Sequence, residues 1–377
     1  MSLRAEVVNL FTDHARKLVV GPILHFDVGE ANNQTITGNN SYTQTVTSDQ
    51  FTTPFIVHSS FLASKIDTGL ENPRLIQADD LSPTEAKKLE TDTKRLLGIT
   101  DLSADRFECE MALRSYLPDH TLDRLEDFSA GNLGTTSLYL RGFPLCPQTD
   151  QILLGTGQVL GNCFVETSEA GQIVQHVSPK AKEEHLQTSS SSKVPLYMHV
   201  ENVGTERVPD WVGILCERNH ERAQTTIVDP VEVMNQMLID GKINEVVYLW
   251  EPMFWIQTPA SFGSGRKRTY GHSVFSGDLN RPSAKADFAD MGSTSIEHAN
   301  AFELFRNYCE DRAASVCLNP GDVLFMRNTG SKDPAKNHLQ CMHGRGRFTP
   351  HSEPELQRLL KRVFISDIFI QPNQIPA

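Results

Sequence analysis

From about residue 135 to the C-terminus the chain is divided into short β-type runs, and this division constrains its fold more than any other feature. The runs are TTSLYLRGFPL (135–145), GQIVQHVSP (171–179), VPLYMHVE (194–201), WVGILCERN (211–219), VVYLWEP (246–252), GDVLFMRN (321–328) and RVFISDIFI (362–370). Each is rich in β-branched or aromatic residues and is bounded by turn-forming ones. Such a chain buries its strands against one another in a sandwich or barrel. Two helical stretches interrupt the series, at 229–241 and 297–313. Three more are expected before it, at 81–99, 103–117 and 117–131, with Ser82 and Pro83 opening the first and Gly131 closing the third. The fold class expected is mainly β with flanking helices.

The first 80 residues read differently. Residues 6–20 have helical spacing. Residues 31–54 are almost uncharged and rich in Thr, Asn and Ser, which suits either a β-ribbon or a surface arm. The length of 377 residues allows two or three domains, although all-β barrels often reach this size as one unit. The net charge of −12 argues against a nucleic-acid groove. No apolar run approaches the length of a membrane helix, and the opening segment lacks the apolar centre of a signal peptide, so a cytoplasmic location is expected. Seven cysteines stand singly with no CxxC pair, which excludes a zinc ribbon and reads as reduced core thiols.

His199 and Glu201, in PLYMHVEN, carry the first sign of chemistry. Residues two apart on a strand share one face, and an imidazole and a carboxylate on one face can grip a metal ion. His-x-Glu alone is common. His343, in QCMHGRGRF, supplies a second imidazole 144 residues later, and a barrel can bring it beside the pair. Two histidines and one carboxylate with open positions opposite form the facial triad of non-haem Fe(II) oxygenases. Arg358 and Arg362, in QRLLKRVF, then share a strand face, and a guanidinium binds a carboxylate through two parallel hydrogen bonds.

In order, LPDHTLDRLEDFS with LYLRGFPL, the 171–202 stretch ending in His-x-Glu, DWVGILCERN, EPMFWIQTPASF, PGDVLFMRN, HGRGRFTP and RLLKR resemble the clavaminate synthase-like family of Fe(II)/2-oxoglutarate oxygenases, which includes amino-acid hydroxylases. The likeness covers about residues 117–370. It implies a double-stranded β-helix core (jelly-roll, cupin-like) with helices outside. It implies Fe(II) on His199, Glu201 and His343, and 2-oxoglutarate anchored by Arg358 and Thr226, with Thr225 the less favoured hydroxyl. It implies O₂ as oxidant and Arg362 on the carboxylate of an amino-acid-like substrate. Asp287 is a further substrate-binding candidate. Asp290 lies three residues on, a spacing that does not put both on one strand face, so the paired acids that hold an arginine side chain are not expected. The stretch between MRN and HGR is longer than in the family, which makes His338 a rival to His343. Trp250, Phe254 and Trp255 are assigned to core packing rather than to a pocket wall.

The expected architecture is an N-terminal extension over 1–80 and one oxygenase domain over 81–377. The expected activity is oxidation of an unactivated C–H of a free or modified amino acid by hydroxylation, desaturation or ring closure, coupled to decarboxylation of 2-oxoglutarate to succinate. The expected partner is a small molecule, with neither nucleic acid nor membrane; oligomeric state is left open. Two alternatives stand beside this reading: a metal-dependent jelly-roll enzyme that does not use 2-oxoglutarate, and a non-catalytic small-molecule-binding jelly-roll.

Overall fold

The computed structural model describes residues 24–28, 33–38, 43–47, 72–166, 171–205, 207–259, 267–279, 281–329 and 339–367. Within the N-terminal segment, Leu24–Val28, Asn33–Gly38 and Thr43–Thr47 pair as an antiparallel three-stranded sheet. The helix expected at 6–20 and the rival ligand His338 lie outside the described residues.

Two facing sheets organise the remainder. In the larger sheet the order is Ile76–Asp80, Ser137–Arg141, Val323–Arg327, Trp211–Arg218, Leu359–Ser366 and Asn162–Phe164, with Gln175–Val177 also paired to Leu359–Ser366. The first pair is parallel and the others are antiparallel. Both faces of this sheet are buried, which is why its strands read as nearly continuous apolar runs. Leu138, Leu140, Leu215, Phe325, Val363 and Ile365 point to a layer of helices, Pro83–Asp92, Arg106–Tyr116, Asp119–Ala130 and Thr149–Leu160. The alternate residues Tyr139, Val212, Ile214, Leu324, Met326 and Phe364 point the other way, toward the second sheet.

That second sheet runs Ala314–Val316, Thr225–Val228, Met342–Arg345 and Leu196–His199, all antiparallel. Its inner face adds Ile227 and Val316 to the layer between the sheets. Its outer face, with Met198, Val228 and Met342, is covered by Pro230–Ile239, Ile243–Trp250 and Ile296–Arg312. Among the described residues no helix is long and apolar enough to cross a membrane.

Most expected elements appear where the sequence puts them. Ser82 caps Pro83–Asp92 through a reciprocal pair with Glu85, and Gly131 closes Asp119–Ala130 in the left-handed conformation. Four expectations are corrected. The helix expected over 81–99 ends at Asp92 and continues as a 3₁₀ turn, Thr93–Gly98. Residues 246–252, expected as a strand, belong to the helix Ile243–Trp250, where Val246, Val247 and Leu249 pack into the outer core; so short an apolar run fits either period. Thr149–Leu160, unexpected as a helix, is buried at every position from Ile152 to Leu160 and so shows no amphipathic stripe. It crosses Arg106–Tyr116 so closely that a Cβ on Gly155 would sit 2.6 Å from the Cys109 carbonyl oxygen. The boundary at residue 80 also moves, because Ile76–Asp80 is an edge strand of the larger sheet.

Candidate metal centre

His199 closes the strand Leu196–His199, and His343 stands directly opposite it on Met342–Arg345. Their rings lie 4.6 Å apart between centroids. Glu201 follows two residues after His199, in the turn beyond the strand end. Its Oε2 is 3.3 Å from His343 Nε2 and 3.8 Å from His199 Nε2. One donor atom from each of the three falls within 4.8 Å of the others. His199 Nδ1 donates to the Tyr197 carbonyl at 2.8 Å, which directs Nε2 toward Glu201. Two imidazole nitrogens and one carboxylate oxygen are the donor set that suits divalent iron.

Charge is balanced around this cluster. Burial alone would raise the Glu201 carboxyl, but Arg362 and the two imidazoles hold it well below the usual carboxylate range. Arg362 Nη1 lies 3.4 Å from Glu201, and its Nε donates to Gln175 Oε1 at 2.9 Å. Burial lowers the His343 imidazole, against an upward pull from Glu201. Burial also works to lower His199, yet Glu201, helped by Asp287, lifts it to about 9.

A residue outside the donor set fixes the position of Glu201. Asn328, fully buried after the strand Val323–Arg327, accepts from the Glu201 N–H at 2.6 Å and donates to the Glu201 and Pro209 carbonyls at 3.1 and 2.8 Å. The larger sheet thereby grips the backbone of a candidate ligand on the smaller one. Asn328→Ala is expected to weaken iron binding by about 10–100-fold, the usual effect of losing an outer partner of a ligand; metal titration of the folded variant measures it.

A cavity opens beside the cluster, between the two sheets, and Arg358, Arg362 and Asp287 line it. Arg358 is buried and makes no ion pair among the described residues. Burial lowers its guanidinium to about 10. Thr226 is a correction. Its cross-strand partner is Gly344, whereas Thr225 pairs with Arg345 and lines the cavity. Thr225 therefore shares the face of His343 and Arg345, and Thr226 points to the opposite side. Gly344 itself leaves room for close packing of the strands: a Cβ there would meet the Leu196 carbonyl oxygen at 2.7 Å.

Asp287 and Asp290 bring a second correction. Asp287 sits at an isolated bridge and Asp290 in the turn that follows it, and both line the cavity. Asp287 Oδ1 accepts from the N–H groups of Ala289 and Asp290 at 2.8 and 3.0 Å, and its backbone bridges to His199. Phe254 is buried in the outer core, Trp250 stacks on Phe275, and Trp255 lies beneath the Arg268 guanidinium; none of the three lines the cavity. Reading the motifs alone misses Gln175, Arg345 and Asn328. Arg345 had a signal available, because it stands two residues after His343 on the same strand.

No family model matches the chain. Among solved structures it superposes on an asparagine oxygenase in complex with Fe(II), 3-hydroxyasparagine and succinate, with a TM-score of 0.66 and 23% identity over 77% of this chain and 93% of that one. The chain shares the fold of this oxygenase. The non-haem iron oxygenase OrfP, in complex with Fe and alpha-ketoglutaric acid, superposes with a TM-score of 0.62 and 19% identity over 78% and 95% of the two chains. In sequence the chain is 28% identical over 279 residues to an L-lysine 3-hydroxylase of Catenulispora acidiphila, covering 66% of this chain and 72% of that protein. It is 24% identical over 269 residues to an L-ornithine/L-arginine 3-hydroxylase of the same organism, covering 64% and 71%. An L-lysine 4-hydroxylase of Flavobacterium johnsoniae is 27% identical over 199 residues; the match spans 51% of this chain and about half of that protein, 49%.

Proposed function

We propose that the chain is an Fe(II)/2-oxoglutarate-dependent hydroxylase of a free basic amino acid. The observation that carries this reading is the convergence of His199, Glu201 and His343 in a cavity that buried Arg345, Arg358 and Arg362 also line. The two facing sheets are read as a distorted jelly-roll, forming with their flanking helices one catalytic unit that begins near residue 72. His199, Glu201 and His343 would hold the iron. When bound, the iron supplies the O₂ chemistry that couples decarboxylation of 2-oxoglutarate to oxidation of a C–H bond.

The protein's own side chains do the rest. Arg358, with the Thr225 hydroxyl nearby, receives the distal carboxylate of 2-oxoglutarate. Arg362, held by Gln175 and beside Glu201, lines the cavity, where it can meet the carboxylate of an amino acid. Asp287 and Asp290 give the cavity a negative wall suited to a side-chain ammonium or guanidinium. This reverses the expectation that the acidic pair is misplaced for a cationic substrate. The lysine, ornithine and arginine hydroxylases to which the chain is similar support the same substrate class.

The test has two stages. Anaerobic addition of Fe(II) and 2-oxoglutarate is expected to give a weak visible charge-transfer absorption. Succinate release is then followed across a panel of lysine, ornithine, arginine, asparagine and leucine, and the basic amino acids are expected to lead. Asp287→Asn keeps the acceptor for the turn but removes the charge. Combined with Asp290→Asn, it is expected to raise KM for the preferred basic amino acid by about tenfold or more, with kcat changed less. A panel led by leucine or asparagine would overturn the substrate class while leaving the reaction type intact.

A further inference from the structure

Arg358 is not the only buried guanidinium on the cavity. Arg345 follows His343 by two residues on the same strand, so its side chain leaves the sheet on the side of the metal centre. It is 4% exposed, lines the cavity, and stands across from Thr225 in the strand register. Its Nη2 donates to Ser191 Oγ at 2.7 Å and its Nη1 to the Gly346 carbonyl at 2.8 Å. The guanidinium carbons of Arg345 and Arg358 lie 4.9 and 5.7 Å from the centroid of one ring, that of Phe348.

Neither arginine has an ion-pair partner among the described residues, and the Nε of each is buried without an acceptor. The carboxylate that faces Arg358 is Glu221, and its Oε1 is engaged by the backbone N–H groups of His351 and Arg358, each at 3.0 Å. Two buried cations side by side repel each other, and both are poorly solvated. Such an arrangement suits a subsite that an anion completes.

We propose that Arg345 is a second guanidinium for the distal carboxylate of 2-oxoglutarate, acting beside Arg358. The co-substrate then meets two cationic forks at one end, with Thr225 close by. The proposal rests on the reading above that 2-oxoglutarate is the co-substrate. It differs in adding to the anchor a residue that stands on the strand of His343 itself.

The experiment is an anaerobic calorimetric titration of the Fe(II)-loaded protein with two ligands. These are 2-oxoglutarate and 2-oxopentanoate, which has the same five carbons but no distal carboxylate. Arg345→Met is expected to weaken 2-oxoglutarate binding by about tenfold or more, as expected for a lost charge-assisted pair. Binding of 2-oxopentanoate should be unchanged. Arg345→Lys, which keeps the charge and loses the fork, should fall between the two for 2-oxoglutarate only; it also carries the test if the methionine variant does not fold. Ser191→Ala, which removes the supporting hydroxyl without touching the charge, should change 2-oxoglutarate binding less than Arg345→Met. Equal weakening of both ligands would mean that Arg345 only supports the strand, and unchanged 2-oxoglutarate binding would mean that it does not reach the carboxylate; either overturns the proposal. Failure of the wild-type protein to bind 2-oxoglutarate would instead sink the functional reading, and this proposal with it.

Discussion

Glu201→Ala is expected to abolish iron binding and turnover and also to lower the stability of the metal-free protein. The two losses have one cause. The Glu201 carboxylate is the only acid in the donor set, and it is also the countercharge of buried Arg362, 3.4 Å away. Removing it leaves two imidazoles, which bind divalent iron weakly without an anionic donor, and a buried guanidinium that has lost the carboxylate facing it. Breaking a buried pair from one side commonly costs about 3–5 kcal/mol. Urea unfolding of the metal-free variant should therefore show a lower midpoint with an unchanged slope. Metal analysis after reconstitution should show iron at background. Glu201→Gln separates the effects, since it keeps the volume and a neutral acceptor for Arg362. It should recover part of the stability and none of the turnover. Stoichiometric iron in either variant would overturn the ligand assignment.

Arg358→Met has effects of opposite sign. Its guanidinium is buried without an ion-pair partner among the described residues and lies close enough to Arg345 to depress that residue. Replacing an unpaired buried charge by an apolar side chain of similar reach removes a desolvation cost, so the ligand-free protein should be at least as stable as wild type. Binding of 2-oxoglutarate should fall by about 10²-fold or more, because the principal partner of a desolvated carboxylate is gone. Thermal unfolding with and without co-substrate reads both effects at once. The wild type should gain stability when 2-oxoglutarate is added, and the variant should not. A variant that is destabilised yet still responds to 2-oxoglutarate would show that Arg358 is a structural residue.

What the sequence made legible, and what it hid, follows from which quantities are local. His199 and Glu201 were readable because period-two spacing predicts a shared face, although Glu201 in fact lies beyond the strand end and owes its position to Asn328. That contact spans 127 residues, and no local pattern announces it. Thr225 and Thr226 show the opposite problem. Both belong to a legible strand, but which of them faces the cavity depends on pairing register, where a slip of one residue exchanges the faces. Asp287 and Asp290 were judged by strand parity, whereas the Asx hydrogen bonds of Asp287 fold that stretch into a turn. The helix Thr149–Leu160 was hidden because a helix buried all round carries no polar stripe.

The grip of Asn328 on Glu201 also sets an order of events in synthesis. Glu201 leaves the ribosome well before its partners: Asn328 lies 127 residues behind it and His343 lies 142. At about 5–20 residues per second, the second interval is roughly 7–30 s. During that time the nascent chain carries His199 and Glu201 without the strand that aligns them or the imidazole that faces them. With these three residues as the proposed ligands, iron would have no finished seat until the C-terminal third has been made and the two sheets have docked. Metal uptake is therefore expected to be a late event, with occupancy of the centre reporting a finished chain.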